Sequence, residues 1–540
     1  MAKATQKNSK KENVTNLARA YDEVPYSSYP FAQTNPELLQ GIAHLFGLNT
    51  PDPRKARILE IGCASGNNIL SIASAYPHST CIGFDYAIRQ IEEGQRVLKD
   101  LGLKNVELKH LSVMDITKDF GEFDYIICHG VLSWVPPEVQ EKILEVCSTN
   151  LSRDGVAYVS YNTLPGWNAV RSAREMMMYH TENYQAPAEK AAAARQILKF
   201  VGDAMRANNN PGAKVMDREL EILNQQADYY LLHEHLEENN YQFYFHQFMG
   251  MAQKSQLQYL AETSLEKMFS GNFPAEVAQV LATSTDIVRT EQYMDFIYDR
   301  RFRSTLLCHK DRILDRTIKP ETIKDGFVQG RFHYPDNFQN LDLNQPATLQ
   351  FTSFAGMVLS ASDAPIFAML QVLQEAGNSR IAVPELIERT AARLKKVKHP
   401  ILAGGNEMLA DSIYQYILRY LFLGGLYFFN AQATYATILS KKPTAAPQIR
   451  YQAARMGWVG NLRQEHLVTT PFDSKLLPLV DGTRDVEALC KDLMPHFQLK
   501  ELVLNEESKV VEDMGRVEAN LPEFVRQALD RYLSLALLVK

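Results

Sequence analysis

At residues 57–66 the chain reads RILEIGCASG, an aliphatic run that ends in Glu60-x-Gly62-x-Ala64-x-Gly66 and leads directly into NNILSIASA. An apolar run, then closely spaced small residues, then an apolar stretch at helical period predicts strand, sharp turn, helix. Glycine accepts backbone angles that other residues avoid, and small side chains let a ligand lie against the main chain. Such a turn calls for an open α/β sheet with a ligand crevice at the carboxyl ends of its strands. Dinucleotide-binding folds share turns of this kind, but their G-x-G-x-x-G spacing differs from the one here.

The surrounding sequence agrees. Short apolar runs at 57–61, 80–84, 106–109, 125–128 and 156–161 alternate with helical stretches near 68–75, 88–101 and 138–150. That alternation implies a parallel sheet covered on both faces. Ahead of it, Thr34 and Glu37 have capping-box spacing and Pro36 suits a first turn, so a helix is expected to run to about Leu45. From 166 to 226 the pattern is wholly helical, and from 227 to 309 it is helical and unusually aromatic. Helices at 365–375, 383–397 and 408–420, followed by GGLYFF, suggest a winged-helix-like module closed by a short hairpin. The expected division is a polar tail at 1–20, a core at 21–170, a helical segment at 171–226, a middle domain at 227–345 and a C-terminal domain at 346–540.

Composition narrows the function classes. A net charge of -6, from 57 basic and 63 acidic residues, argues against a general nucleic-acid binder. The six cysteines are scattered singly without a CxxC pair, which reads as reduced thiols in a cytoplasmic protein rather than a zinc site; no metal is expected. No run of about 18 apolar residues would span a membrane. The lysine-rich start, MAKATQKNSKKENV, lacks the apolar stretch of a signal peptide.

The Glu60–Gly66 pattern resembles motif I of class I S-adenosylmethionine (SAM) methyltransferases, with Ala64 in place of the middle glycine. Asp85, ending the run CIGFD, is placed to accept both ribose hydroxyls. Asp115, in LSVMDI, is placed to meet the adenine amine. His129 follows the fourth strand, where it either holds the methionine end of SAM, acts on a substrate proton, or serves the structure. Methyltransferases acting on adenine or glutamine amines usually carry N/D-P-P-Y/F at this strand end; here it reads HGVLSWVP. A Pro-Cys pair, as in cytosine-C5 enzymes, is also absent, and Cys63 and Cys128 read as buried strand and turn residues. For an acceptor site, Tyr26 and Tyr29 are assigned to a lid and Trp134 and Trp167 to channel walls, with Asn162 and Tyr161 beside them. Ordinary packing is the alternative for each aromatic.

Other features carry less. His233-Glu234-His235 lacks the histidine at 237 that an H-E-x-x-H zinc helix needs. The aromatic string at 241–248 reads as packed core or a dimer face. Arg300, Arg301 and Arg303 read as partners of nearby acids, and Arg393, Lys395, Lys396 and Lys398 as a solvated helix end.

Longer strings sharpen the resemblance: YDEVPYSSYPF at 21–31, HGVLSWVP at 129–136, YNTLPGWN at 161–168, LLHEHLEENN, FHQFMGMAQKSQLQYLAE and EQYMDFIYDRRFRSTLLCH. On these the chain resembles bacterial methyltransferases that carry a methyltransferase regulatory domain, similar to the rickettsial-type protein lysine methyltransferases of outer-membrane protein. The resemblance implies a Rossmann-like SAM-binding core, helical dimerisation and middle parts, a winged-helix-like C-terminal domain and a homodimer. It also implies lysine amines of a protein substrate as acceptor. A methyltransferase of small molecules or RNA, and a SAM-sensing regulatory or interaction module, are the alternatives.

Overall fold

The computed structural model describes residues 28–540 apart from 238, 504, 507, 508, 511 and 512. The expected tail and Tyr26 lie outside the described residues. Helix α1 (Pro36–Leu45) precedes the sheet. Its cap is Asn35, whose side chain accepts from the Glu37 N–H, rather than Thr34; the Thr34 hydroxyl is committed to Phe31 O and Asn68. The alternation then runs β1 (Arg57–Ile61), α2 (Asn67–Ala75), β2 (Thr80–Asp85), α3 (Ile88–Leu101), β3 (Val106–His110), β4 (Phe123–Cys128), α4 (Pro137–Thr149) and β5 (Leu151–Asn162). All five strands are parallel, in the order β3-β2-β1-β4-β5. Strands buried on both faces read as unbroken apolar runs. Ile58, Leu59, Ile126 and Ile127 are fully buried, each burial contributing about 1.5–3 kcal/mol.

Past β5 the chain departs from the helical expectation. Helices α5 (Trp167–Thr181), α6 (Pro187–Ala207), α7 (Ala213–Asn224), α8 (Asp228–Glu234) and α9 (Phe245–Lys254) do follow. Yet 227–309 also supplies β6 (Leu257–Glu262) and, after α10 (Ala275–Leu281) and α11 (Ile287–Tyr298), β7 (Phe302–His309). Strand β7 inserts between β5 and β6, antiparallel to both, and completes a seven-stranded sheet. The expected all-parallel sheet is thus mixed. These strands are six and eight residues long, embedded among aromatic helices, where short apolar runs have no distinguishing period.

One buried cation fixes this edge. Arg303 on β7 donates to Glu262 on β6 at 2.5 Å and to Glu291 and Asp295 on α11 at 2.9 and 2.8 Å, and lies 3.8 Å over the Phe245 ring. Arg300 pairs with Asp295 and Arg301 with Glu219, so the arginine cluster is satisfied within the chain. The aromatic string is core: Phe245 and Phe248 are fully buried, and Phe248 stacks on Tyr161 at 4.1 Å. Helices α5–α8 gather a separate apolar cluster that includes Met177, Leu198, Met216 and Leu223.

In the C-terminal half, α12 (Ala364–Ala376), α13 (Val383–Lys396) and α14 (Gly405–Leu421) lie where expected, but no hairpin closes them. The strand in GGLYFF, Leu426–Phe429, pairs with Phe327–Gly330, nearly a hundred residues earlier. This module is locked to α1 by the buried pair Arg380–Glu37 at 2.6 Å. A later hairpin, Trp458–Gly460 with His466–Val468, faces the segment that leads into α1. Among the described residues, no helix is long and apolar enough to cross a membrane.

Candidate active site

The order of strands reverses between β1 and β4, the place where open α/β sheets part their loops and bind ligands. A cavity of about 480 Å³ opens there, within the ordinary range for small-molecule sites. One end is main chain. Gly62 and Gly66 adopt φ of 70° and 81°, and Ala64, where the motif usually has glycine, is held at 50°. A Cβ on Gly62 would stand 2.5 Å from Val131 Cγ2, so the two loops touch only because that side chain is missing.

Asp85 closes this turn. Its Oδ2 accepts the Ala64 N–H and its Oδ1 the Ala87 N–H, both at 2.8 Å. Glu60 is buried in the cavity wall; Asn68 donates to its Oε1 at 2.8 Å, while Oε2 has no hydrogen-bond partner among the described residues. Burial pushes this carboxyl up to about 8. Gln90, also in the wall, has an unbonded buried Oε1. At Gly130 nothing lies within 4 Å of where a Cβ would sit. Orphaned acceptors, a satisfied and oriented aspartate and an open glycine cradle fit a ligand bearing an ammonium, a ribose and an adenine.

Asn68 also organises the roof. Its Oδ1 accepts from Phe31 N and Thr34 Oγ1 at 3.0 and 3.1 Å, and Ser28 Oγ accepts the Asn67 N–H at 3.1 Å. Helix α2 has no side-chain cap of its own, so the 28–34 segment satisfies an orphan donor at its start. Ser28 and Phe31 line the cavity, and Phe31 lies 3.9 Å from the His129 ring. Tyr29 points the other way, packing on Trp458 and His466 at 5.1 and 4.5 Å, and is not a wall residue. His129 Nδ1 meets the Tyr158 hydroxyl at 2.9 Å; burial lowers it to about 4, so at pH 7 it is a neutral dipole. Burial also pushes the thiols of Cys63 and Cys128 well up, which removes them as nucleophiles.

Glu60, Gly62, Ala64, Asp85, His129, Trp134, Asn162 and Trp167 all line this one cavity. Gly66 shapes the turn from behind it. Asp115 ends an exposed 3-10 turn whose Ser112 and Val113 reach the wall while Asp115 itself does not. At the far end stand residues that sequence reasoning passed over as a site: Glu219, Tyr230, His233, Glu234, His235, Arg301 and Phe302. In the sequence, His233–His235 shows only an incomplete zinc motif and Arg301 only part of an ion-pair cluster. Arg301 donates to Glu219, and His235 Nε2 lies 3.4 Å from the other oxygen. Burial pushes the Glu219 carboxyl up, but those two partners outweigh it and hold it below its ordinary value.

Comparison with known proteins agrees with this geometry. Residues 58–155 match the family described as Methyltransferase domain, 227–309 the Predicted methyltransferase regulatory domain and 441–537 the PKMT, C-terminal winged helix domain. The winged-helix match thus lies beyond the helices at 365–420 on which that expectation rested. The uncharacterized protein RP789 of Rickettsia prowazekii (strain Madrid E) is 39% identical over 524 residues, which cover 96% of this chain and 93% of the relative. PKMT2 from Rickettsia typhi superposes with a TM-score of 0.86 at 34% identity, over 95% of this chain and 100% of that one. Its complex with AdoHcy gives 0.84, at 34% identity over 96% and 100%. With a class I core, a turn fitted to S-adenosylmethionine and this likeness along nearly its whole length, the chain belongs to the PKMT2 family of SAM-dependent methyltransferases.

Proposed function

We propose that the chain methylates lysine side-chain amines of a protein, with an outer-membrane protein as the acceptor class that the family resemblance implies. The observation that carries this is a single cavity with main chain and carboxylates at one end and Trp134, Trp167 and Tyr230 at the other. Bound SAM supplies a methyl group on an electrophilic sulfonium. Glu60 and Asp85 are assigned to its ammonium and ribose, with Asp115 at the rim toward the adenine. The lid is the 28–31 segment, through Phe31 and Ser28, with Tyr26 just upstream of it. Trp134, Asn162 and Trp167 form the acceptor walls. Aromatic faces attract an alkylammonium yet exclude water, and exclusion of water favours the neutral amine that must attack. Two rings and an amide around the entry also align the amine with the methyl group, an effect worth several orders of magnitude in rate when geometry is held.

The name PKMT, read as protein lysine methyltransferase, supports the same acceptor. A homodimer through α5–α8 is supported by that separate core and by aromatic side chains left outside it, Tyr179 and Phe200, exposed by 84% and 66%. Reduced cysteines support a cytoplasmic setting. To test the activity, the purified protein is incubated with methyl-labelled SAM and a cell-envelope protein extract, and label is located by mass spectrometry. Label on lysine nitrogen is expected; label on hydroxyls, RNA or metabolites overturns the reading.

A further inference from the structure

One carboxyl at the acceptor end has no structural employment among the described residues. Glu234 is the last residue of α8 and lines the cavity beside Tyr230, His233 and His235. Among the described residues its side chain makes no hydrogen bond or ion pair, whereas Glu219 next to it is committed to Arg301 and His235. A negative charge at a helix C-terminus opposes the helix dipole. Desolvation adds to that penalty: burial pushes the Glu234 carboxyl up to about 7. Its charge is felt by its neighbour one turn back on the same helix, for burial and then Glu234 push the Tyr230 hydroxyl up to about 12. A group that costs stability twice and has no bonding partner among the described residues is best explained by what enters the cavity.

We propose that Glu234 is the residue that receives the incoming lysine and takes its proton; this rests on the lysine reading above. Ionised Glu234 pairs with the ammonium. One N–H bond breaks and one O–H bond forms on the carboxyl, leaving a neutral amine with its lone pair. That pair forms the new C–N bond as the methyl carbon parts from sulfur, whose bonding electrons stay on sulfur and cancel its charge. The methylated nitrogen is again cationic, and the proton on Glu234 passes to solvent as product leaves. Glu219, His233, His235, Arg301 and Tyr230 face the same end, and Arg301 with Glu219 forms a neutral pair that leaves Glu234 as the anion available to a cation. A base that titrates near neutrality suits proton transfer at cellular pH.

The test uses full-length protein, methyl-labelled SAM and the cell-envelope extract as acceptor, with Glu234→Gln and Glu234→Asp compared to the parent. Glu234→Gln is expected to lose about 10²–10⁴-fold in rate at pH 7, with AdoHcy affinity by calorimetry unchanged within two-fold. It should recover as pH rises toward the free-lysine pKa of about 10.4, and Glu234→Asp should retain an intermediate rate. A Glu234→Gln rate within three-fold of the parent, with the same pH profile, overturns the role of Glu234 while leaving lysine methylation intact. Joint loss of AdoHcy affinity and rate assigns the residue to structure and overturns it equally. Failure of the parent to label lysine brings down both readings.

Discussion

At the cofactor end of the cavity the wall is main chain bent through Gly62, Ala64 and Gly66 and tied by Asp85, all within 24 residues of sequence. At the acceptor end the wall is side chains drawn together from α7, α8 and the start of β7, with Glu219 and Arg301 in contact across 82 positions of sequence. The first kind of wall is shaped by atoms that are missing, so it should be damaged by additions. The second is shaped by charges that are present, so it should be damaged by neutralisation while the fold survives. Gly62→Ala tests the first half most severely. Its φ of 70° costs an alanine about 1–2 kcal/mol, and the 2.5 Å approach to Val131 adds an overpacking cost, about 2–5 kcal/mol in all. Denaturant unfolding should show that loss, and adding Val131→Ala should restore only the overpacking share. A Gly62→Ala protein as stable as the parent would mean the loops can separate freely.

Asp85 joins the two ideas, since its charge holds a backbone turn. Charge-assisted bonds of this kind are worth about 1.5–3 kcal/mol each, so Asp85→Ala should weaken AdoHcy binding about 10- to 150-fold by calorimetry. Weakening of that size should come without loss of the overall fold, because the sheet register around β2 does not depend on the carboxyl. Unaltered affinity would remove Asp85 from the site.

The same contrast explains what could be read from sequence. Glu60 to Gly66 is contiguous, and the strand-turn-helix that makes it a site is local, so motif and geometry coincide. Asp85 and His129 needed only the rule that ligands gather at strand ends. The roof was legible as a segment but not by residue. Tyr29 and Phe31 alternate in direction, and nothing local says that the C-terminal hairpin will claim one ring and the cavity the other. Asn35 took the cap from Thr34 because Asn68, a tertiary partner, took the Thr34 hydroxyl. Strands β6 and β7 and the residues Glu219, Tyr230 and Glu234 follow from convergence of distant segments, which leaves no period or spacing to find.

Glu60 offers a pH test of the cofactor end. Its folded-state value of about 8 lies above the unfolded value near 4.5, so between these the unfolded chain is ionised while the folded one keeps its proton. Stability of the ligand-free protein should therefore fall as pH rises from about 4.5 through 8, and Glu60→Gln should flatten that slope. Binding of AdoHcy, whose ammonium favours the ionised carboxyl, should release a proton near pH 7, read as a calorimetric heat that varies with buffer. A parent with no such slope and no proton release would place Glu60 outside the ligand's reach.

The smallest effect discriminates most finely, because Ala64 adds one methyl to the backbone-built end at the position where the motif usually adds none. At φ 50° an alanine bears about 1–2 kcal/mol of left-handed strain, while glycine in its place would give the unfolded chain about 0.4–1 kcal/mol more entropy to lose. The difference favours glycine by roughly 0.8 kcal/mol, so Ala64→Gly should raise the unfolding midpoint slightly and leave AdoHcy affinity alone, since the N–H that Asp85 accepts is retained. A measurable loss of stability would mean that the methyl group itself packs the half-buried turn. The cofactor end would then owe part of its shape to a side chain, like the acceptor end, and its separation into main chain and charge would have to be redrawn at this residue.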